Sequence, residues 1–473
     1  MIISYLTNIL SIALICSSTC SPIEDSYKIV MPLHLDLSQN GSFDVAIGEC
    51  NIDEKDTIKI NFSDDFVLCD EYGKSDVYGS VTNSEICFSN SDYSTKTVAY
   101  NIEGISAGKW NGNLSVSISL NRETNSNLLK NGEAINAILS SLNPSTISFS
   151  HDTIDGEPLY DLSLEDDGSI LLYKNNDEVI ITNMINEKIR ANEDMSSTFF
   201  ELNVKNINNL DYIDMSNCKN MSRMFQECRA IETIDVSSFD THNVTNMSKM
   251  FDAAHGLKTL IGLENFDVSN VTTFSYFLND TYQLTSIPNL SNWNITNKCT
   301  NLSYMLAGIG YQRGVLNSSV WPENVNYSKW DVSNVTNMSH LFTNAFGIKT
   351  LNIDGWDTGL NKNMSSMFEM TDNIEESKLE TVVGIEKLNV ENVTNMSNMF
   401  KGCELLNSDN DFSSWNPKKV TNLKGAFYGT KALNLRNFEN WKTKLTNIDS
   451  INKTDCFGGQ AGCNYDSSYV FTW

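Results

Sequence analysis

Basic side chains are scarce in this chain. Lys and Arg number 33 against 59 Asp and Glu, a formal charge of -26 with a pI near 4.5. Nucleic-acid binders draw their phosphate contacts from Lys and Arg, so that class is excluded. Past the opening segment no run is long and apolar enough to cross a bilayer. The five His (His34, His151, His242, His255, His340) are scattered, without HExxH and without a Cys/His pair at metal spacing. A GxSxG elbow, a P-loop and a dinucleotide fingerprint are all missing. No catalytic residue, metal or cofactor is therefore expected, and the chain does not read as an enzyme. The acidic pairs Asp64–Asp65 and Asp166–Asp167 lack EF-hand or nonapeptide calcium spacing and read as solvated turns.

What is present can bury a core: 40% of the residues are hydrophobic, so wholesale disorder is excluded. A length of 473 residues suits two or three domains. Proline is down to seven, yet about one residue in eight is Asn, a bias that calls for a repeat.

Residues 1–20 carry no side-chain charge and end in small residues, as a secretory signal does. Cys16 and Cys20 raise lipoprotein anchoring, but the residues before them fit that motif poorly. A secreted or cell-surface location, not transmembrane, follows. Residues 27–122 then alternate with period two, in Met31, Leu33, Leu35, Leu37 and again in Leu114, Val116, Ile118, Leu120. With turns such as QNGS between, this predicts an antiparallel β-sandwich. Residues 123–192 contain a helical stretch interrupted near Gly132, then a hairpin in which KNND joins SILLY to EVIIT. They read as an N-terminal cap.

Residues 193–452 are repeats. NVTNMSKMF ends at Phe251, NVTNMSHLF at Phe342 and NVTNMSNMF at Phe400, with NMSRMF from Asn220, NMSSMF from Asn363 and looser copies from Asp194, Thr273, Asn301 and Asn422. Successive anchors lie 26, 26, 27, 28, 36, 26, 32 and 27 residues apart. After each anchor, apolar residues fall at i, i+3, i+4 and i+7, as in Met221, Met224, Phe225 and Cys228, which predicts a short helix capped by Thr245–Asn246 and its equivalents. Leu-x-x-Leu-x-Leu follows, in Ile231, Ile234, Val236 and in Ile348, Leu351, Ile353, and predicts a strand. Then an aromatic precedes Asp or Asn, from Phe239–Asp240 to Trp415–Asn416, where a ladder of Asx side chains is expected to satisfy the bend. The fold class these columns predict is an α/β leucine-rich-repeat-like solenoid, a short helix plus a short strand per unit, preceded by the all-β sandwich. Residues 453–473 would cap its far end.

At these residues the units resemble the repeats of bacterial surface proteins related to the BspA-like leucine-rich-repeat proteins, over roughly residues 123 to 452. LYDLSLEDDGSILLY is similar to that family's lead-in. ISAGKWNGNLSVSISL is similar to a β-module beside such repeats in exported bacterial proteins. The resemblance implies an exported or surface protein that binds macromolecules, adhesin-like, its partner a protein or glycan such as a host extracellular-matrix component. A structural surface-layer component is the alternative. Thr273 and the insert over 307–325 depart from the pattern.

Cysteine adds detail. Cys228 and Cys403 share the column of Ala254, and Cys218 and Cys299 that of Val244, so all four read as small core residues. Cys456 and Cys463 bracket FGGQAG past the last clear unit, where a bridge would seal an open end; the pairing of Cys50, Cys69 and Cys87 is left open. The candidate binding face is the outward side of the strands. Its third positions are Thr233, Thr259, Ser286, Thr350 and Thr381, and its fifth are Asp235, Ile261, Pro288, Asn352 and Val383. The hydroxyls could equally serve strand pairing alone. Many N-x-S/T sequons coincide with the repeat and read as its by-product.

Overall fold

The computed structural model describes residues 26–30, 41–51, 57–62, 65–70, 77–82, 85–89, 95–103, 110–112 and 116–121. It then describes 127–458 except 184–186, 313–314, 317–319, 372–376 and 447. The signal segment 1–20, the alternation at Met31–Leu37, Leu114, Cys463 and the side chains of Cys50 and Cys69 lie outside the described residues. The chain divides into two compact units, Met1–Ser126 and Asn127–Trp473.

In the first unit the described strands are β1 (Ser26–Val30), β2 (Gly41–Asn51), β3 (Thr57–Phe62), β4 (Asp65–Asp70), β5 (Val77–Thr82), β6 (Glu85–Ser89), β7 (Thr95–Glu103), β8 (Trp110–Gly112) and β9 (Val116–Asn121). They make two sheets, ordered β1-β2-β7-β5-β4-β8 and β6-β3-β9. All pairs are antiparallel. Period two sends alternate residues to one side, and Ile60, Phe62, Val81, Ile86, Phe88 and Val98 are buried accordingly.

The second unit opens with helix α1 (Gly132–Leu142), which starts where Asn131 caps it, its Oδ1 accepting from Ala134 N at 2.9 Å. Gly132 is required by a close approach. Its N–H donates to Asp194 O at 2.9 Å, and a Cβ here would lie 2.1 Å from Ser196 O. Ile135 and Leu139 turn inward. The expected hairpin forms between Ile170–Asn175 and Glu178–Asn183, and Thr146–Ser150 joins it in parallel.

The repeat region is not an α/β leucine-rich-repeat solenoid. Among the described residues of 193–452 the one α-helix is Trp441–Lys444, and the strands form small sheets of two or three members, except Asn206–Asn208, which joins the sheet of the preceding hairpin. Where a helix was expected after each anchor, the chain makes successive four-residue turns. Arg223, Glu227, Lys249, Ala253, Tyr276 and His340 all have positive φ, which no right-handed helix contains. Eight consecutive amides show how the segment is satisfied. Those of Met221, Arg223, Phe225 and Glu227 donate to Asn246 O, Ser248 O, Met250 O and Asp252 O in the next unit, at 3.0, 2.9, 2.8 and 2.8 Å. Those of Met224, Gln226 and Cys228 donate three residues back, to Met221 O, Arg223 O and Phe225 O. Ser222 N donates to Asn220 Oδ1 at 3.1 Å. Each left-handed non-Gly residue costs about 1–2 kcal/mol, and the inter-unit bonds, at about 1 kcal/mol each, offset it.

Every anchor pairs in parallel with the next, from Asp194↔Asn220 through Asn422↔Asn452, and Thr273 keeps its place despite its different chemistry. The anchor oxygen accepts from the amide two residues on, so it is an Asx-turn acceptor and not a helix cap. The column after the aromatic does the same: Asp267 accepts from Ser269 N and Asp331 from Ser333 N, both at 3.0 Å. Asn243, Asn270, Asn334 and Asn392 donate from Nδ2 to carbonyls of the preceding unit at 2.8, 2.6, 2.7 and 2.7 Å. These four head NVT sequons, and their amides are already used. Asn is abundant because most units spend several of these side chains on backbone groups.

The interior holds stacked columns. Phe199, Phe225 and Phe251 stack with centroids 5.2 and 5.4 Å apart, and Phe342, Phe368, Phe400 and Phe427 continue farther along. Trp293, Trp330, Trp356, Trp415 and Trp441 are buried. Each donates Nε1 to a carbonyl of an earlier unit, at 2.8 to 3.3 Å. A buried indole N–H needs such an acceptor, and stacking supplies it.

Candidate functional site

In several units the strand expected after the turn run exists, three residues long. Thr233–Asp235 pairs in parallel with Thr259–Ile261, and Asn324–Asn326, Thr350–Asn352 and Thr381–Val383 form a second sheet. The central residues Ile234, Leu260, Val325, Leu351 and Val382 point inward, so their neighbours point out. Thr233 lies opposite Thr259, and Thr350 opposite Thr381.

Ser286 and Pro288 belong to no strand; Ile287 N donates instead to Val320 O at 3.1 Å, and the row divides into two patches. Asn324 and Asn326 take places in the second patch, opposite Thr350 and Asn352. The sequence columns missed them because they follow the insert, though ENVN before Tyr327 matches KTLN before Ile353 in having one apolar residue at its buried third place.

The fifth column divides by chemistry. Asp235 Oδ1 accepts from Ser237 N at 2.9 Å and from its hydroxyl at 2.6 Å. Asn326 and Asn352 accept likewise from Ser328 N and Asp354 N. Ile261 and Val383 have no such oxygen, and each is followed by a glycine with φ near 90°, Gly262 and Gly384. The turn after the strand is thus closed by an Asx side chain or by a left-handed glycine. In the second case the apolar side chain is left 42% exposed at Ile261 and 40% at Val383.

The face hydroxyls differ from the other threonines of the repeat. Thr245, Thr272, Thr300, Thr336, Thr394 and Thr421 each donate to a carbonyl of the unit before, at 2.9 to 3.3 Å. Among the described residues Thr233, Thr259, Thr350 and Thr381 make no side-chain hydrogen bond, while their register places them on the outer face. Lys258–Glu232 at 2.6 Å and Lys349–Glu380 at 3.5 Å flank the two patches as surface ion pairs.

The remaining candidates are structural. His151 bonds Asn183 Oδ1 at 2.9 Å and stacks on Tyr212, His242 pairs with Asp240 at 2.6 Å, and His255 and His340 stack on Tyr282 and Tyr304. His34 lies outside the described residues. Asp167 accepts from Ser169 N and Asp166 pairs with Lys130. No three His, Cys, Asp or Glu converge as metal ligands among the described residues. Cys218, Cys228, Cys299 and Cys403 are free and buried. Burial pushes the first three thiols up to about 12 and Cys403 up as well. Cys456 is a free, buried thiol, and Cys463, with which a bridge was expected, lies outside the described residues.

Comparison with known families gives one match. Residues 193–321, 313–384 and 376–466 match the family described as Mycoplasma protein of unknown function, DUF285. The chain belongs to this family. The DUF285 segments cover the stacked units and include the strand face. The match shows a repeat family and does not reach the BspA-like resemblance of the units. No curated protein and no solved structure matches the chain. No helix among the described residues is long and apolar enough to cross a membrane.

Proposed function

We propose that the protein is an exported or cell-surface repeat protein whose strand face binds a macromolecular partner, in the manner of an adhesin. The observation that supports this is the contrast between its two threonine sets. One set is spent on joining units. The other presents hydroxyls that the protein does not use, in register along parallel strands. Strand propensity alone would account for Thr in both places but not for this division. Unpaired hydroxyls beside exposed Ile261 and Val383 offer the mixture of hydrogen-bonding and apolar contact that protein and glycan ligands need. The resemblance to BspA-like surface repeats supports the surface location, and the charge of -26 favours partners with basic patches.

A binding screen of the full chain against extracellular-matrix proteins, mucins and glycans tests the reading. Thr259→Lys and Thr350→Lys should abolish binding of the ligand found and leave the thermal melt unchanged. Undiminished binding by both variants would remove the site from this face.

A further inference from the structure

The stack of repeats is polarised in charge from one end to the other. Its lead-in, residues 151–167, carries seven Asp or Glu and no Lys or Arg. Its last units, residues 416–458, carry eight Lys or Arg and three Asp or Glu, a local excess of cations in a chain of charge -26. The anchors pair in order from Asp194 to Asn452, so the basic segment closes the series. The acidic segment is fixed at its start. Lys130 N donates to Leu162 O at 2.9 Å and Leu164 N to Leu128 O at 2.8 Å, while Gly132, two residues past Lys130, bonds the first anchor.

Neither set of charges is used up within the protein. Asp166 pairs with Lys130, and Asp161 accepts from Ser163 N at 2.8 Å and Gly168 N at 2.6 Å. Asp155, Glu157 and Glu165 are exposed and have no ion-pair partner among the described residues. At the other end Lys418 pairs with Glu391 at 2.7 Å, Lys431 with Glu404 at 2.6 Å and Lys442 with Glu439 at 2.9 Å. Lys419 and Lys424 are exposed and, like Lys444, have no carboxylate partner among the described residues. Lys419 Nζ donates to Asn392 Oδ1 at 2.6 Å, and Lys444 Nζ to Ser413 O and Trp415 O, both at 2.9 Å. Apolar side chains accompany the charges. Leu159, Tyr160 and Leu164, in the acidic segment, are 51, 40 and 40% exposed, three of the seven large apolar side chains exposed among the described residues. Leu405, 47% exposed, follows Glu404, the partner of Lys431.

We propose that copies of this chain associate head to tail, the basic last units of one against the acidic, apolar lead-in of the next. Both halves of the complementary pair are carried by the same chain, which favours a second copy over a foreign partner. Apolar side chains with charges around them have the composition of a weak protein interface. Exposed ion pairs contribute little singly, so the contact is a transient one made of several. It joins two different surfaces, leaves one of each unused, and therefore extends into chains of copies. This surface is separate from the strand face and stands whether or not that face binds.

The test is sedimentation of the full chain at about 0.1 M salt, where a Debye length of about 10 Å screens repulsion between whole chains and leaves pairs in contact. The mass should rise with protein concentration and return to that of one chain at about 1 M salt. Lys419→Glu with Lys424→Glu should weaken association by about fivefold or more. So should Glu157→Lys with Glu165→Lys, although this pair moves the net charge toward zero and reduces general repulsion. All four residues are exposed, so thermal melts of both variants should match the parent. Each variant keeps one native end. Mixed in equal amounts they should associate again, the acidic end of the first against the basic end of the second. A parent that stays monomeric at every concentration, reversals that leave association unchanged, or a mixture no heavier than its parts would each overturn the proposal.

Discussion

Thr272 donates its hydroxyl to the carbonyl of Thr245, 2.9 Å away, while its own backbone N–H reaches the same oxygen at 2.8 Å. One carbonyl thus takes two bonds from one residue of the following unit. Thr300 repeats the arrangement on Thr272. Thr272→Val keeps shape and strand propensity and removes the second bond. It should lower stability by about 1 kcal/mol in urea denaturation. Thr259→Val, on the outer face, should shift the midpoint hardly at all.

Gly262 and Gly384 replace an Asx side chain at the turn after the strand. A Cβ at 262 would lie 2.2 Å from Ser237 Cα, and at 384 it would lie 2.6 Å from Asp354 Cα. Gly262→Ala therefore meets both a left-handed backbone and a main-chain clash, and should cost about 2 kcal/mol or more by thermal melting. Gly156→Ala isolates the backbone effect, since a Cβ there meets nothing within 4 Å.

Phe251 is buried between Phe225, stacked at 5.4 Å, and Phe277, edge-on at 5.5 Å. Phe251→Ala and Phe400→Ala should each cost about 3–5 kcal/mol. Melts that match the parent would show that the Phe column is not the core.

Burial, with the field of Asp252 second, holds the Asp280 carboxyl above its ordinary value. An acid whose pKa rises on folding contributes its full stabilisation below the unfolded pKa and loses it as pH rises through the folded one. Asp280→Asn should accordingly be more stable than the parent near pH 7, and the gap should close as pH falls below the ordinary carboxylate range. Denaturation midpoints across pH 3 to 8 check the sign.

Cys87 is a half-exposed free thiol, whereas Cys218, Cys228 and Cys299 are buried with thiols raised to about 12. Alkylation of the native protein at pH 8, followed by peptide mass spectrometry, should label Cys87 and spare these three until denaturant is added.

Which residues turn inward was legible in the sequence; the backbone that turns them was not. Met221, Met224, Phe225 and Cys228 are all buried as expected. Two successive four-residue turns bury the first, fourth, fifth and eighth residues, the same set that a helix buries at i, i+3, i+4 and i+7. Hydrophobic spacing therefore cannot separate the two, and the helix was inferred from a pattern both produce. The discriminating signal was in the residues between. NMS puts an Asx oxygen two residues before an amide, and the positions that prove left-handed include Asp280, Asn344, Asn398, Gly308, Gly402 and Gly425, residue types that tolerate positive φ. The strand register was readable wherever units kept their spacing. It failed at Ser286 because the insert after Ala307 gives the neighbouring place to Asn324.

The bridge between Asn301 and Asn337 spans 36 residues of sequence, yet it joins the same kind of positions as Asn220 and Asn246, which are 26 apart. Each unit meets its neighbour through the same few backbone atoms, whatever is looped out between them. A whole unit lost or gained in frame would leave anchor facing anchor, threonine facing threonine and phenylalanine on phenylalanine. The length of the stack is thus set in steps of one unit, while the surfaces on the remaining units stay as they were.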